Sequence, residues 1–178
     1  MPSRESAGRS AAISPAGSHD PARPSYVAHL RARFNEVDGL GHVNNAIYIN
    51  YLEQTAIDHA AALGLDQERQ ATLGGVFIVR RHEIDYLQPA VAGDYLRVLT
   101  WIGDLRGARA VRFYEIRRLA AAATDGWPPP DRKLEVGEPV ATSGDVILRA
   151  RTDWAFVDNR SGRPRRMPAE LLAVVDRD

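Results

Sequence analysis

Hydrophobic and polar positions change rhythm several times along this chain, and each rhythm predicts an element. From Ser25 onward, Tyr26, Ala28, Leu30, Ala32 and Phe34 recur at every second position, with His29, Arg31 and Arg33 on the opposite face. Period two is the spacing of a half-buried strand. A polar stretch follows, with Asn35, Glu36, Asp38, Gly39 and Gly41 marking a loop. The apolar spacing then widens. Ile47, Tyr51, Leu52, Thr55, Ala56, His59, Ala62 and Leu63 step by three or four, which predicts a helix. Asn44 or Asn45 suits its N-cap and Gly64 its stop. Nearly 20 residues of helix would span about 30 Å. So few charges ride on it, chiefly Glu53 and Asp58, that packing on more than one side is expected.

Strand texture returns over residues 75–87, 95–103, 108–119 and 140–157, the last with room for a bend. Gln88-Pro89 breaks the first of these, and the turns Ala92-Gly93-Asp94 and Leu105-Arg106-Gly107 precede the next two. Residues 121–139, with Pro128-Pro129-Pro130 among them, read as a loop inserted between two strands. A turn over 158–162 and a short helix over 168–175, with proline near its first position, close the chain. No repeat of solenoid length is present. One strand, one long helix and about four consecutive strands on short connections imply antiparallel neighbours. A single apolar helix on such a sheet is an α+β architecture.

Before Ser25 the texture is different. Residues 1–24 are rich in Ser, Ala, Gly, Pro and Arg, with Ile13 the one large aliphatic after Met1. Such a stretch buries too little apolar surface to offset its ordering entropy, so it is expected to be a flexible tail. Residues 25–178 then form a single domain, a size able to support a core of its own among the 178 residues of the chain.

Charge and composition narrow the function classes. The 23 basic and 23 acidic side chains balance, which argues against a nucleic-acid partner, since that affinity draws on net positive charge. Lys133 is the only lysine, so arginine carries nearly all the positive charge. The absence of cysteine removes disulfides, thiol nucleophiles and thiolate-bound zinc together. No apolar run approaches the roughly 20 residues of a membrane helix, and the start lacks the apolar core of a secretory signal. A cytoplasmic protein without membrane insertion is expected.

The chemistry concentrates in Phe34-Asn35-Glu36-Val37-Asp38-Gly39-Leu40-Gly41-His42-Val43-Asn44-Asn45-Ala46-Ile47-Tyr48, running on to Tyr51-Leu52-Glu53. This places a carboxylate and an imidazole in a glycine-bearing loop that enters a helix N-terminus. Unpaired backbone N–H groups there carry partial positive charge and can hold a developing oxyanion. A nearby carboxylate can act as general base or nucleophile. Gly39 and Gly41 leave room for substrate. From spacing alone, Asp38 fits a turn or capping role as well as a catalytic one.

The run D-G-L-G-H-V-N-N-A-x-Y-x-x-Y-L-E resembles the signature of the 4-hydroxybenzoyl-CoA thioesterase-like family of hotdog folds. The likeness extends to Ile84-Asp85-Tyr86-Leu87-Gln88-Pro89-Ala90 and Gly93-Asp94-Tyr95-Leu96, similar to the second and third strands of that family, and to 158–166, similar to its closing strand and basic turn. It covers residues 26–175 apart from the proline loop. The resemblance implies a long central helix wrapped by an antiparallel β-sheet, paired into a homodimer or homotetramer with sites at the subunit interface. It implies Asp38 as the catalytic carboxylate, attacking the thioester carbonyl or activating water, and the backbone N–H of Asn45 as the group that polarises the carbonyl oxygen.

His42 lies four residues after Asp38, as in plant-type acyl-carrier-protein thioesterases, but Leu40 stands where their asparagine would be. A proton relay and a role in orienting the loop both remain open for His42. Asn44 is open between helix capping and shaping the thioester pocket. Gly41, Asn44 and Tyr48 are expected to line the substrate pocket, with Tyr51 and Phe77-Ile78-Val79 as further candidates that fit plain core equally. Another hotdog branch uses a glutamate on its central helix as the catalytic carboxylate, which makes Glu53 a rival candidate. It sits some 12 Å along the helix, too far to share a carbonyl with Asp38, and a structural role is expected. Among arginine clusters, Arg163, Arg165 and Arg166 are favoured over Arg80-Arg81 and Arg106 with Arg109 as contacts for coenzyme A phosphates.

The five histidines show no metal-ligand spacing, and no G-x-S-x-G elbow or phosphate-binding G-x-x-x-x-G-K-[ST] loop is present. The activity the resemblance implies is hydrolysis of an acyl-CoA or acyl carrier protein thioester to free acid and thiol, with no metal and no cofactor. Two rivals keep the fold: a non-catalytic acyl-thioester-binding module and an enoyl-CoA hydratase.

Overall fold

A computed structural model of the chain describes residues 19–120, 127 and 129–175. Among these, strand β1 (Ser25–Arg31) leads through a 3-10 turn (Phe34–Glu36) to helix α1 (Asn45–Ala62) and the short α2 (Gln67–Thr72). Strands β2 (Gly75–Tyr86), β3 (Tyr95–Arg106), β4 (Arg109–Leu119), β5 (Arg132–Leu134) and β6 (Asp145–Asp158) follow, and α3 (Ala169–Val175) ends the sequence of elements. The strands form one sheet in the order β2-β6-β4-β3-β1-β5, antiparallel throughout. This is the wrapped-helix α+β architecture of the hotdog fold. None of the described helices is long and apolar enough to cross a membrane.

The period-two and period-three-or-four patterns meet in the core. Tyr48, Leu52, Thr55, Ala56 and His59 form the buried face of α1. They rest on Leu96 and Val98 of β3, Tyr114 and Ile116 of β4, and Leu148 of β6, all fully buried. Each such aliphatic side chain contributes about 1.5–3 kcal/mol on leaving water. A second cluster of Leu65, Ile102, Phe156, Met167, Leu171 and Val175 seats α3 against the far end of α1.

On the other face of the sheet, Val27, Leu99, Trp101 and Leu134 form a small apolar patch. Beside it the strands present charge: Arg109 and Arg151 meet Asp153 at 3.0 Å each, and Arg117 and Arg149 meet Glu115 at 2.6 and 3.3 Å. Four of the arginines are thus held in ion pairs on this face, two across strands and two within a strand.

Four local departures from the sequence pattern have physical reasons. β1 stops at Arg31, because the chain turns into the 3-10 turn, and Phe34 is left 86% exposed rather than facing inward. Helix α2 was not expected; Asp66 caps it, and buried Gln70 ties it down by donating to Leu65 O at 2.7 Å and accepting from Phe77 N at 3.2 Å. Within the expected loop, Arg132–Leu134 adds an edge strand to β1, whereas residues 121–126 and 128 lie outside the described residues. β6 begins at Asp145 instead of 140, because Arg97 holds the preceding segment by donating to Ala141 O and Ser143 O. Of the expected tail, residues 1–18 lie outside the described residues; His19 at its end bonds Ser25 Oγ at 2.8 Å and stands edge-on to Trp101.

Candidate active site

The glycine-bearing loop folds as a miniature hairpin. Asn44 N donates to Glu36 O at 2.9 Å, Val37 bridges Val43, and Asp38 N donates to His42 O at 2.8 Å. Asp38 then turns the chain: its Oδ1 accepts from Leu40 N at 2.8 Å and from His42 N at 3.3 Å. This is the local side-chain-to-backbone pairing that favours aspartate in turns. Gly41 completes the reversal at φ +78, a left-handed angle that other residues adopt only with strain. Asp38 Oδ2 has no hydrogen-bond partner among the described residues, and the residue is exposed. One carboxylate oxygen holds the loop and the other is free.

The helix start lies about two residues along the same ladder, or roughly 7 Å. Asn44 is the N-cap, its Oδ1 accepting from Ala46 N at 2.9 Å, and its main-chain oxygen accepts from Ile47 N at 2.9 Å. Of the first three N–H groups of α1, that of Asn45 alone finds no acceptor among the described residues. Its carbonyl is held separately, by Tyr86 Oη at 3.1 Å. A free donor at the positive end of an 18-residue helix thus stands near a carboxylate with a free oxygen.

The other expected site residues fall into distinct settings. His42 is half-buried; its main chain bridges Val91, and its imidazole makes no hydrogen bond among the described residues. Tyr48 is 2% exposed, its hydroxyl accepts from Ala90 N at 3.1 Å, and burial raises its pKa. Tyr51 donates to Glu36 Oε2 at 2.6 Å; burial, then this bond, hold its phenol well above the usual range. Phe77 packs on Phe156 in the core, and Ile78 is exposed on β2. Glu53 is exposed on α1. Phe34, Leu40, Tyr86, Leu87 and Val91, all exposed, give the surroundings of the loop an apolar character.

The favoured arginine cluster sits elsewhere. Arg165 is occupied, bonding Gly74 O at 3.0 Å and Asp158 Oδ2 at 3.4 Å. Asp158 gathers the turn by accepting from Ser161 and Arg160, which holds its pKa down at about 2. Arg163 and Arg166 are exposed beside it. This turn adjoins Gly75, the start of β2, whereas Tyr86 at the end of β2 touches Asn45. The 12-residue strand separates the two by about 36 Å, so one chain does not bring them together.

Two features escaped the pattern in the sequence. Glu36 accepts from both Tyr51 and Arg33 N, anchoring the hairpin to α1. Arg112, at a position that reads as an ordinary strand residue, is buried beneath α1 and donates to His59 Nδ1 at 2.7 Å and Thr100 Oγ1 at 3.2 Å. No group of three or more His, Asp or Glu among the described residues is placed to hold a metal ion.

Comparison with known proteins agrees with the architecture. The sequence profile of the Thioesterase-like superfamily matches residues 32–175. The acyl-CoA thioesterase YbgC of Helicobacter pylori is 28% identical over 99 residues, 56% of this chain and 72% of that protein. Among solved structures, a 1,4-dihydroxy-2-naphthoyl-CoA thioesterase from Synechocystis aligns with a TM-score of 0.65 at 16% identity, over 84% of this chain and 94% of the other. A mutant 4-hydroxybenzoyl CoA thioesterase complexed with 4-hydroxybenzoyl CoA aligns with a TM-score of 0.66 at 18% identity, over 85% and 98%. At these identities the structures speak for the fold, and the profile, spanning most of the chain, speaks for the family. The chain belongs to the Thioesterase-like superfamily and is an enzyme of the thioester-hydrolase class.

Proposed function

We propose that this enzyme hydrolyses acyl-CoA thioesters, with Asp38 as the catalytic carboxylate and the Asn45 N–H as the oxyanion donor. The observation that carries the reading is that the hairpin holding Asp38, with its free Oδ2, leads directly into a helix start whose Asn45 N–H has no acceptor among the described residues. The thioester carbonyl oxygen accepts from Asn45 N–H, which favours the charge that develops on it. Asp38 Oδ2 takes a proton from a water that attacks the carbonyl carbon, or attacks that carbon itself to form an anhydride that water then opens. In the first route the tetrahedral intermediate expels the thiolate, and the proton held by Asp38 passes to sulfur. Acid and free thiol leave, and the carboxylate is restored. Gly41 and Asn44 shape the approach, and the exposed apolar residues around the loop suit an acyl group. No metal or other cofactor enters this route.

A homodimer or homotetramer belongs to the same reading. β2 is a sheet edge of 12 residues, a template for pairing with a second copy. Antiparallel pairing of two β2 strands sets the start of one beside the end of the other. Arg163, Arg165 and Arg166 of a second copy would then approach the Asp38 loop, where coenzyme A phosphates need a cation. A cytoplasmic location accompanies this reading.

The test is thiol release across short, long and aromatic acyl-CoAs, with acyl carrier protein thioesters alongside, by the wild type, Asp38→Asn and Asp38→Ala. Equal hydrolysis of a good substrate by all three proteins would remove Asp38 from the mechanism. Tight acyl-CoA binding without thiol release would instead make the chain a binding module. Loss of enoyl absorbance with the thioester intact would make it a hydratase.

A further inference from the structure

The second half of α1 roofs a cavity of about 530 Å³ over the sheet, within the range of small-molecule pockets. Its walls are mostly apolar: Ala56 and Ala60 of the helix, Phe77, Ile102, Trp154 and Leu171 opposite. Neither Asp38 nor Asn45 lines it.

One wall residue breaks the apolar pattern from inside. Arg112 is 9% exposed, and among the described residues no carboxylate lies within ion-pairing distance of it. Its two hydrogen bonds, to His59 Nδ1 and Thr100 Oγ1, both leave from Nη1, so Nε and Nη2 have no partner there. Arginine does not discharge itself by losing a proton. A buried guanidinium without a counter-charge is a large uncompensated desolvation.

His59 cannot neutralise it. Nδ1 accepts from Arg112, so the proton of the neutral ring sits on Nε2, and that N–H is itself buried without a partner. Tyr114 Oη and Trp154 Nε1 are likewise buried without partners. Tyr114 lies two residues from Arg112 along β4 and does not line the cavity, whereas Trp154 lines it with Arg112. An unpaired cation and the orphaned Trp154 N–H on the wall of one cavity mark a place where a group is missing. The carboxylates that do line the cavity, Glu53 and Asp66, are both exposed and belong to its rim, and Asp66 is engaged with Arg69 N at 2.7 Å.

We propose that this cavity is a binding site for a carboxylate carried on an apolar body, with Arg112 as its counter-charge. A carboxylate supplies the charge that Arg112 lacks and can accept from Nε and Nη2 side by side, the geometry guanidinium favours. The apolar walls take a chain or ring. Two sources offer this chemistry: a free carboxylic acid, or the far carboxylate of a dicarboxylic acyl group. The second source rests on the thioesterase reading; the binding site itself does not.

The experiment titrates decanoate and decanol into the full-length protein by calorimetry, with thermal unfolding alongside. Decanoate is expected to bind at one per chain and to raise Tm, at least about tenfold more tightly than decanol, the ratio a charge-assisted hydrogen bond supplies. Arg112→Met, a buried charge replaced by an apolar side chain of similar reach, should erase that preference. Ala60→Trp fills the cavity from the helix side and should abolish binding of both ligands, which keeps the test decisive if Arg112→Met fails to fold. Asp38→Asn should leave decanoate binding unchanged. Equal affinity for decanoate and decanol in the wild type, persistence of decanoate binding in Ala60→Trp, or its loss in Asp38→Asn would each overturn the proposal. Thiol release from decanedioyl-CoA against decanoyl-CoA separates the sources: a kcat/KM ratio that falls in Arg112→Met identifies the acyl group, and an unchanged ratio with decanoate bound identifies the free acid.

Discussion

Asp38 meets His42 through the main chain: Asp38 Oδ1 accepts from the His42 N–H at 3.3 Å, and Asp38 N donates to His42 O at 2.8 Å. The imidazole takes no part in this pairing. Loop geometry therefore asks of position 42 a backbone, and a side-chain relay to Asp38 has no hydrogen bond to run along. His42→Ala is expected to lower kcat/KM for thiol release by less than about tenfold, whereas Asp38→Asn, which keeps the Oδ1 contacts, should lower it by about 10²–10⁴. A His42→Ala loss as large as that of Asp38→Asn would make the imidazole a partner in the chemistry.

Gly41 and Gly39 differ although both have open space where a Cβ would stand. Gly41 holds φ +78 and Gly39 is not in the left-handed region. Gly41→Ala is expected to cost about 1–2 kcal/mol from backbone strain, and Gly39→Ala less than about 0.5 kcal/mol. Because the hairpin aims Asp38, Gly41→Ala should also lower turnover with little change in KM. Urea unfolding and thiol release on the two variants check both points; equal stabilities would show that the loop relaxes around Cβ41.

Much of this was legible in the sequence because the relevant signals are local. The N-cap at Asn44, the aspartate turn at Asp38 and the period of α1 each depend on residues within a few positions. Phe34 was misread for the opposite reason: its parity matched β1, but a non-local bond from Tyr51 to Glu36 helps hold the 3-10 turn that takes Phe34 out of the strand. The separation of Arg163, Arg165 and Arg166 from Asp38 is likewise a property of sheet register, and so is the meeting of Arg112 with His59. Neither leaves a mark on period or composition.

Tyr51 and Glu36 tie the hairpin to the central helix. Tyr51 Oη donates to Glu36 Oε2 at 2.6 Å, and the same oxygen accepts from Arg33 N at 2.7 Å. Hydrogen bonds to charged groups contribute about 1.5–3 kcal/mol, and half-burial of Tyr51 places this one toward the lower end. Tyr51→Phe should lower Tm by about 2–6 °C for a domain of this size. An unchanged Tm would mean that the hairpin is held by its main-chain ladder alone.

His59 makes stability depend on pH with a definite sign. Burial first, then the charges of Arg112 and Lys133, hold its folded-state pKa well below 6.5. The unfolded chain therefore binds a proton that the folded chain refuses, and its stabilising contribution is complete above about pH 6.5 and is lost as pH falls toward the folded value. His19, His29 and His82 are shifted in the same direction, chiefly by burial, so the acid-side loss is shared. His59→Gln offers an amide oxygen to Arg112 and removes one titrating group. Between pH 7.5 and 5.5 the wild type should lose about 1.4 kcal/mol more unfolding free energy than His59→Gln, the integral of one proton linkage over that window. Urea unfolding at both pH values measures it, and parallel losses in the two proteins would show that His59 takes up its proton in the folded state.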